Sequence, residues 1–246
     1  SPRRVSAQVD AFGVSYLYPG QNWVRPWGIP CNNTIGDLFE NLLPAGSNVS
    51  TATRVMWFNR TPWPVPATQE VWLASSPGED QWTCSWPGER GGQSAEAWPL
   101  PYDQGFLVEI PTNLPMQRLP MVFGVPTNTQ VQMLPGGNRY SMVSINIPES
   151  QHPSQLRLLE AGFKGGANPI LADWLWKYDR PSQVAPRVIY YNTISNAWLF
   201  TSDNARVPTN WFLPDDAVVV QTRKSASNLM WTNYFHYPIP TRDLNP

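Results

Sequence analysis

Apolar and polar positions alternate strictly over residues 5–11, with Val5, Ala7, Val9 and Ala11 set against Ser6, Gln8 and Asp10. A period of two is that of a half-buried strand. At Phe12-Gly13 the phase changes, which predicts a bulge, and Val14 opens a second short strand. Farther along, short runs rich in Val, Trp, Tyr and Phe are separated by Pro, Gly, Asn and Ser clusters, the punctuation of a β domain. Two segments switch to i, i+3, i+4 spacing, residues 35–43 and 154–162, and each reads as one short helix ending near glycine.

The order of these patterns repeats. Pro19-Gly20-Gln21-Asn22 leads to Gly28-Ile29-Pro30, and Pro135-Gly136-Gly137-Asn138 leads to Asn146-Ile147-Pro148. Val55-Met56-Trp57-Phe58-Asn59-Arg60 matches Leu175-Trp176-Lys177-Tyr178-Asp179-Arg180. Val71-Trp72-Leu73 and then Trp82 match Val188-Ile189-Tyr190-Tyr191 and then Trp198. The stretch from Leu100-Pro101 to Val108 matches that from Leu213-Pro214 to Val220, and Asn113-Leu114 and Phe123 match Asn228-Leu229 and Phe235 or Tyr237. Matches in one order with slowly drifting offsets are the signature of an internal duplication. The expected organisation is an N-terminal strand arm (1–18), a first β module (19–126), a linker (127–134), a second, duplicate module (135–240) and a short tail (241–246). Each copy has the length of a small β-sandwich or barrel with its own core, so the fold is all-β with one short helix per module.

Composition narrows the function. Only 14% of residues are charged and the formal net charge is −1, so nothing draws the chain electrostatically to phosphate backbones, and nucleic acid is excluded as a partner class. No apolar run reaches the length of a membrane-spanning helix, and no membrane insertion is expected. The chain starts at Ser1 without Met and shows no signal peptide, which fits a processed chain as well as a removed tag. Thirteen Trp, nine Tyr and nine Phe favour strands and large contact areas. Fourteen Arg against three Lys favour bidentate and stacked contacts.

Reactive chemistry is thin. The two histidines, His152 in a Gln-His-Pro turn and His236 in the last aromatic run, lie at no metal-ligand spacing and read as structural. The adjacent carboxylates Glu79-Asp80 and Asp215-Asp216 sit in Pro/Gly-containing turns, where Asp caps its own backbone. No nucleophile elbow, phosphate loop or dinucleotide fingerprint occurs. No catalytic residue, metal ligand or cofactor is therefore expected, although a non-local Ser-His-Asp arrangement leaves a hydrolase as the third reading. Cys31 and Cys84, if the chain is secreted, most simply form one disulfide stapling the first module; two unpaired buried thiols are the alternative. The sequons at Asn32, Asn48 and Asn59 all fall in the first copy.

Tryptophans and the arm carry the functional expectation. Trp57, Trp72 and Trp82 have counterparts in the second copy and read as core, whereas Trp63, Trp86 and Trp98 stand in loops without equivalents. Those three suit intrachain packing, subunit-interface anchors or a flat sugar platform. The arm residues Val5, Ala7, Val9, Ala11, Phe12 and Val14 form a strand seeking a sheet edge, in its own module or in the next subunit.

Both copies thus run from Gly-x-Asn into an apolar strand ending in Pro, an Asp/Leu-rich turn of helix, an aromatic strand, a lone Trp and a Leu-Pro turn into a further strand. This order resembles an uncharacterised family of secreted bacterial proteins built from duplicated all-β modules, with Ala11-Phe12-Gly13-Val14-Ser15-Tyr16-Leu17 as the lead-in strand. The second Leu-Pro turn departs from the pattern, because Ala217 stands where Gly105 does in the first. The resemblance implies export and an extracellular or cell-surface role, and no activity. Together these readings predict a non-catalytic structural protein that partners itself in a filament, sheath or surface layer. A carbohydrate-binding or adhesive module with polysaccharide as partner is the alternative.

Overall fold

Val, Ile, Trp and Phe alternating with polar residues give strands that bury one face each, and the regular elements of the described residues are almost all such strands. In this computed structural model the described residues are 7–25, 29–30, 34–39, 42–58, 68–84, 92–100, 105–126, 130–144 and 150–233. The first half forms β1 (Ala7–Leu17), β2 (Gly20–Val24), β3 (Ile29–Pro30), helix α1 (Ile35–Phe39), β4 (Arg54–Phe58), β5 (Thr68–Ala74), β6 (Gln81–Cys84), β7 (Phe106–Ile110) and β8 (Gln117–Pro126). The second half forms β9 (Gln130–Leu134), β10 (Tyr140–Val143), β11 (Trp174–Lys177), β12 (Arg187–Asn192), β13 (Ala197–Phe200), β14 (Val218–Gln221) and β15 (Leu229–Asn233).

The two halves share one topology. A five-stranded antiparallel sheet runs β2-β7-β4-β5-β6 in the first and β10-β14-β11-β12-β13 in the second, the same order strand for strand. In each half the opening and closing strands pair antiparallel as a separate small sheet, β1 with β8 and β9 with β15. The small sheet lies across the core from the large one. Leu17, Leu119 and Met121 meet Val55, Trp57, Val71 and Val108 in the first half; Leu134, Leu229 and Trp231 meet Leu175, Ile189 and Val220 in the second. These are two sandwiches, and Trp82 and Trp198 occupy the same buried position on β6 and β13.

Several boundaries differ from the sequence reading. The linker is shorter, because residues 130–134 form β9 and complete the second sandwich. The arm is one continuous strand, with unbroken register from Asp10↔Gly124 to Leu17↔Gln117; the irregularity lies between Ala7 and Asp10, not at Phe12-Gly13. Gly13, Ser15 and Leu17 face inward and Phe12 and Tyr16 outward, so an apolar side chain on the solvent face had imitated a change of phase. Segment 154–162 is no α-helix but a 3-10 turn, Pro153–Leu156, ended by Arg157 at φ 51° and followed by turns to Gly162. It still stands where α1 does, since the bridge Thr34↔Pro99 ahead of α1 has its equivalent in Gln151↔Phe212.

The Gly-x-Asn sequences are not equivalent either. Asn22 is buried in β2 and ties its hairpin by accepting from Tyr18 N at 2.7 Å and donating to Tyr18 O at 2.8 Å. Asn138 instead precedes β10, at φ 59°, and accepts from Gln221 Nε2. Register through β7 and β14 places Asn22 opposite Val108 and Ser141 opposite Val220, so Ser141 is its true counterpart.

Candidate functional site

Two features of the assembled chain combine function-bearing residues: the junction between the sandwiches, and the outer faces of the small sheets.

At the junction, the free edge of β2 continues onto the segment that enters β14. Val24 bridges Asp216, Arg25 N donates to Asp215 O at 3.1 Å, and Ala217 N donates to Trp23 O at 3.3 Å. Trp23 stacks on Tyr178 with ring centroids 5.7 Å apart. Gly105 is required here by close approach: a Cβ on it would lie 2.3 Å from that of Ala217. The two positions that match in sequence thus face each other, and only one of them can carry a methyl group.

Beneath this seam lies a buried charge cluster. Arg180 grips Asp215 bidentately at 2.8 and 2.7 Å and reaches Asp216 at 3.2 Å, while Lys177 Nζ lies 2.6 Å from Asp216 Oδ2. Arg25 Nε donates to the Asp216 carbonyl at 3.0 Å, and Arg180 also reaches Tyr16 O at 3.4 Å. Burial alone would push the Asp215 carboxyl up, but the hydrogen bonds and charge of Arg180, helped by Ser15 and Arg25, outweigh it and hold the group below its ordinary value. Burial likewise acts to lower the Arg180 pKa, and Asp215 and Asp216 raise it above its usual value. A cleft of about 280 Å³ opens beside the cluster, lined by Tyr16, Tyr18, Tyr178 and Arg180 among others. A general acid needs a carboxyl held protonated near neutral pH. Asp215 is driven the opposite way, and through Arg25 and the Tyr16 carbonyl the cluster, itself within the second sandwich, clasps the first. Asp216 does cap its turn, accepting from Leu213 N at 2.8 Å, but the charge cluster was not visible in sequence because Arg180 and Asp215 are far apart along the chain.

Beyond the clasp, the outer faces of both small sheets carry apolar side chains, with Arg118 of β8 over the Tyr16 ring in the first. Phe12 and Tyr16 on β1, and Val131, Met133 and Met230 on β9 and β15, are each between 44% and 66% exposed. Met133 pairs directly with Met230 across the β9–β15 ladder, and Phe12, Val14 and Tyr16 share one face of β1. β1 ends the order β1-β8-β3, with Arg180 reaching Tyr16 O on its outer edge, and β9 pairs only with β15, so each face is bounded by a strand edge without a strand partner among the described residues.

The other predicted site residues are dispersed. Ala7, Val9, Ala11, Phe12 and Val14 all lie in β1, which pairs with β8 of the same chain; Val5 lies outside the described residues. Cys84 is a buried free thiol on the core side of β6, and the expected disulfide is not formed; Cys31 lies outside the described residues. The inward-facing strand position makes Cys84 a small apolar core residue. Trp98 is half-buried against the first core, and its carbonyl accepts from Ile35 N at 2.9 Å; Trp63 and Trp86 lie outside the described residues. Asn48 is exposed and accepts from Ser50 N in its own turn, while Asn32 and Asn59 lie outside the described residues. His152 caps the 3-10 turn, accepting from Ser154 N at 3.2 Å; burial lowers its pKa, with a hydrogen bond to the Val207 backbone acting against that. His236 lies outside the described residues. Glu79 and Asp80 occupy the turn between β5 and β6.

Among the described residues no group of three or more His, Cys, Asp or Glu could hold a metal ion, and no helix is long and apolar enough to cross a membrane. Scans of protein-family models, curated proteins and solved structures found no match to this chain.

Proposed function

We propose that this protein is a non-catalytic structural subunit that associates with copies of itself, in a filament, sheath or surface layer of the exported kind that the sequence resemblance implies. The supporting observation is the pair of apolar outer faces on the small sheets, each bounded by an open strand edge. Contiguous apolar surface on a soluble protein marks an interaction site, and an unpaired edge is a template for a further strand. Because the face recurs in both modules of one chain, contact between the face of one copy and that of the next is heterologous and propagates into an open polymer when the rotation does not close. Electron microscopy of purified protein tests the reading: wild type gives polymers, and the double change Met133→Lys with Met230→Lys gives dispersed particles. Polymers unchanged by that double change overturn it.

Polysaccharide binding ranks second. It calls for coplanar exposed rings, and the outer face of the second large sheet carries Tyr140, Trp176 and Trp174 in a row, with centroids 6.3 and 5.8 Å apart. Their planes are tilted by 59° and 56°, so no common platform results.

A further inference from the structure

The loop that enters β11 and the hairpin between β12 and β13 meet at the end of the second sandwich opposite the seam. Asp173 precedes β11 and Arg223 and Lys224 follow β14, whereas Arg180 lies past β11 and Asp215 and Asp216 lie ahead of β14. Gly166 joins loop to hairpin, its N–H donating to Tyr191 O and its carbonyl accepting from Thr193 N. At this end Ile170, Leu171 and Ile194 are between 52% and 77% exposed. Their backbones are fixed. Asn168 Oδ1 accepts from Ile170 N and Leu171 N at 3.0 and 3.3 Å, and Asn192 Oδ1 accepts from Ile194 N and Ser195 N at 2.9 Å. Trp174 Nε1 and Arg223 Nη1 both donate to Pro169 O, at 2.8 and 3.0 Å.

The duplicate shows that this scaffold does not need apolar side chains there. Gly46 makes the same two bonds in the first sandwich, to Leu73 O and from Ser75 N, and Thr53 N donates to Pro44 O as Asp173 N does to Lys164 O. Asn48 accepts from Ser50 N as Asn168 does from Ile170 N. Position for position, Ser50, Thr51 and Ser76 stand exposed where the second copy has Ile170, Leu171 and Ile194. Pro44 stands for Lys164, and the register that equates Val108 with Val220 sets Pro111 and Thr112 against Arg223 and Lys224. Uncharged residues of one copy have thus become aliphatic or cationic in the other, all at one end.

The charge at that end is positive. Lys164 and Lys224 are exposed and take part in no ion pair among the described residues, and Arg223 lies 3.8 Å over the Trp174 ring. Asp173, the carboxylate between them, is buried and spends its oxygens on Lys164 N, Lys224 N and Ser225. Three cations against it leave a surplus. The exposed aliphatics stand on turns rather than on a sheet face, and offer no strand edge to a second copy. Aliphatic side chains ringed by cations match an anionic bilayer, whose acyl boundary takes the first and whose headgroup phosphates take the second.

We propose that this end of the second sandwich docks on an anionic lipid surface, with Ile170, Leu171 and Ile194 entering the acyl boundary and Lys164, Arg223 and Lys224 meeting the phosphates, and without the chain crossing the bilayer. Vesicle flotation of the full chain tests this, since polymers alone do not float. Vesicles of phosphatidylcholine mixed with an equal amount of phosphatidylglycerol are expected to carry about tenfold more protein than phosphatidylcholine alone. The pair Ile170→Ser with Leu171→Thr installs the residues of the first copy and should cut flotation about tenfold, with the fold retained by circular dichroism. Lys164→Ala with Lys224→Ala should cut it about fivefold and provides a second reading should the first pair fail to fold. Met133→Ser with Met230→Ser, on the small sheet, should leave flotation unchanged. No flotation with either vesicle, equal flotation with both, flotation indifferent to the tip variants, or its loss in the methionine pair would each overturn the assignment. Polymer formation is read without lipid, so the two proposals fail separately.

Discussion

Single residues show why sequence pattern and spatial role part company. Gly105 and Ala217 look like a match with one imperfect member, yet the two press against each other across the module seam. Gly105→Ala should therefore cost about 1–3 kcal/mol in urea denaturation, as overpacking does. Asp215 was legible only as a turn residue, because nothing local reveals that Arg180 folds onto it. Asp215→Asn leaves Arg180 partly uncompensated and should cost about 3–5 kcal/mol. Its pH dependence follows from the direction of the shift. The folded-state pKa lies below the ordinary 3.8, so the stabilisation is complete above that value and is lost as pH falls through the lower folded value. Acid titration of unfolding midpoints should show that loss in wild type and a smaller one in the Asn variant. Cys84, buried and unpaired, should resist alkylation in the native state and react on denaturation, and peptide mapping without reductant should yield no Cys31–Cys84 linkage. A linked peptide would contradict the free thiol.

At the scale of elements, strands were readable where burial imposes alternation, as in Phe106–Ile110 and Gln81–Cys84, whose inward and outward positions alternate strictly. Alternation gave the wrong answer where the outer face is apolar as well. Phe12 on the outside of β1 imitated a bulge, and the apolar outer residues of β9 concealed a strand in what read as linker. The i, i+3, i+4 spacing over 154–162 was genuine in sequence but is satisfied by a 3-10 turn, since Arg157 turns left-handed and stops the helix. Deletion of residues 1–9 leaves the Asp10–Leu17 ladder with β8 intact and should leave the first sandwich folded. Deletion of residues 1–17 uncovers Leu119 and Met121 and should render that sandwich sensitive to limited proteolysis while the second resists. Equal sensitivity of both halves would show that they do not fold as separate units.

For the whole molecule, the duplication was legible because a repeated order of strand, turn and Trp survives divergence that side-chain contacts do not. Its topological proof is the shared five-strand order. What the sequence could not convey is which faces the two sandwiches spend on each other and which they leave open. The seam uses β2 and the residues entering β14, and the small-sheet faces remain exposed. That leftover surface is the basis of the self-association account. Sedimentation velocity over a concentration series tests it most directly. The account predicts species that grow beyond the monomer as concentration rises, and a Met133→Lys, Met230→Lys variant that stays small while remaining folded. A wild-type chain sedimenting as a single monomer at every concentration would contradict it.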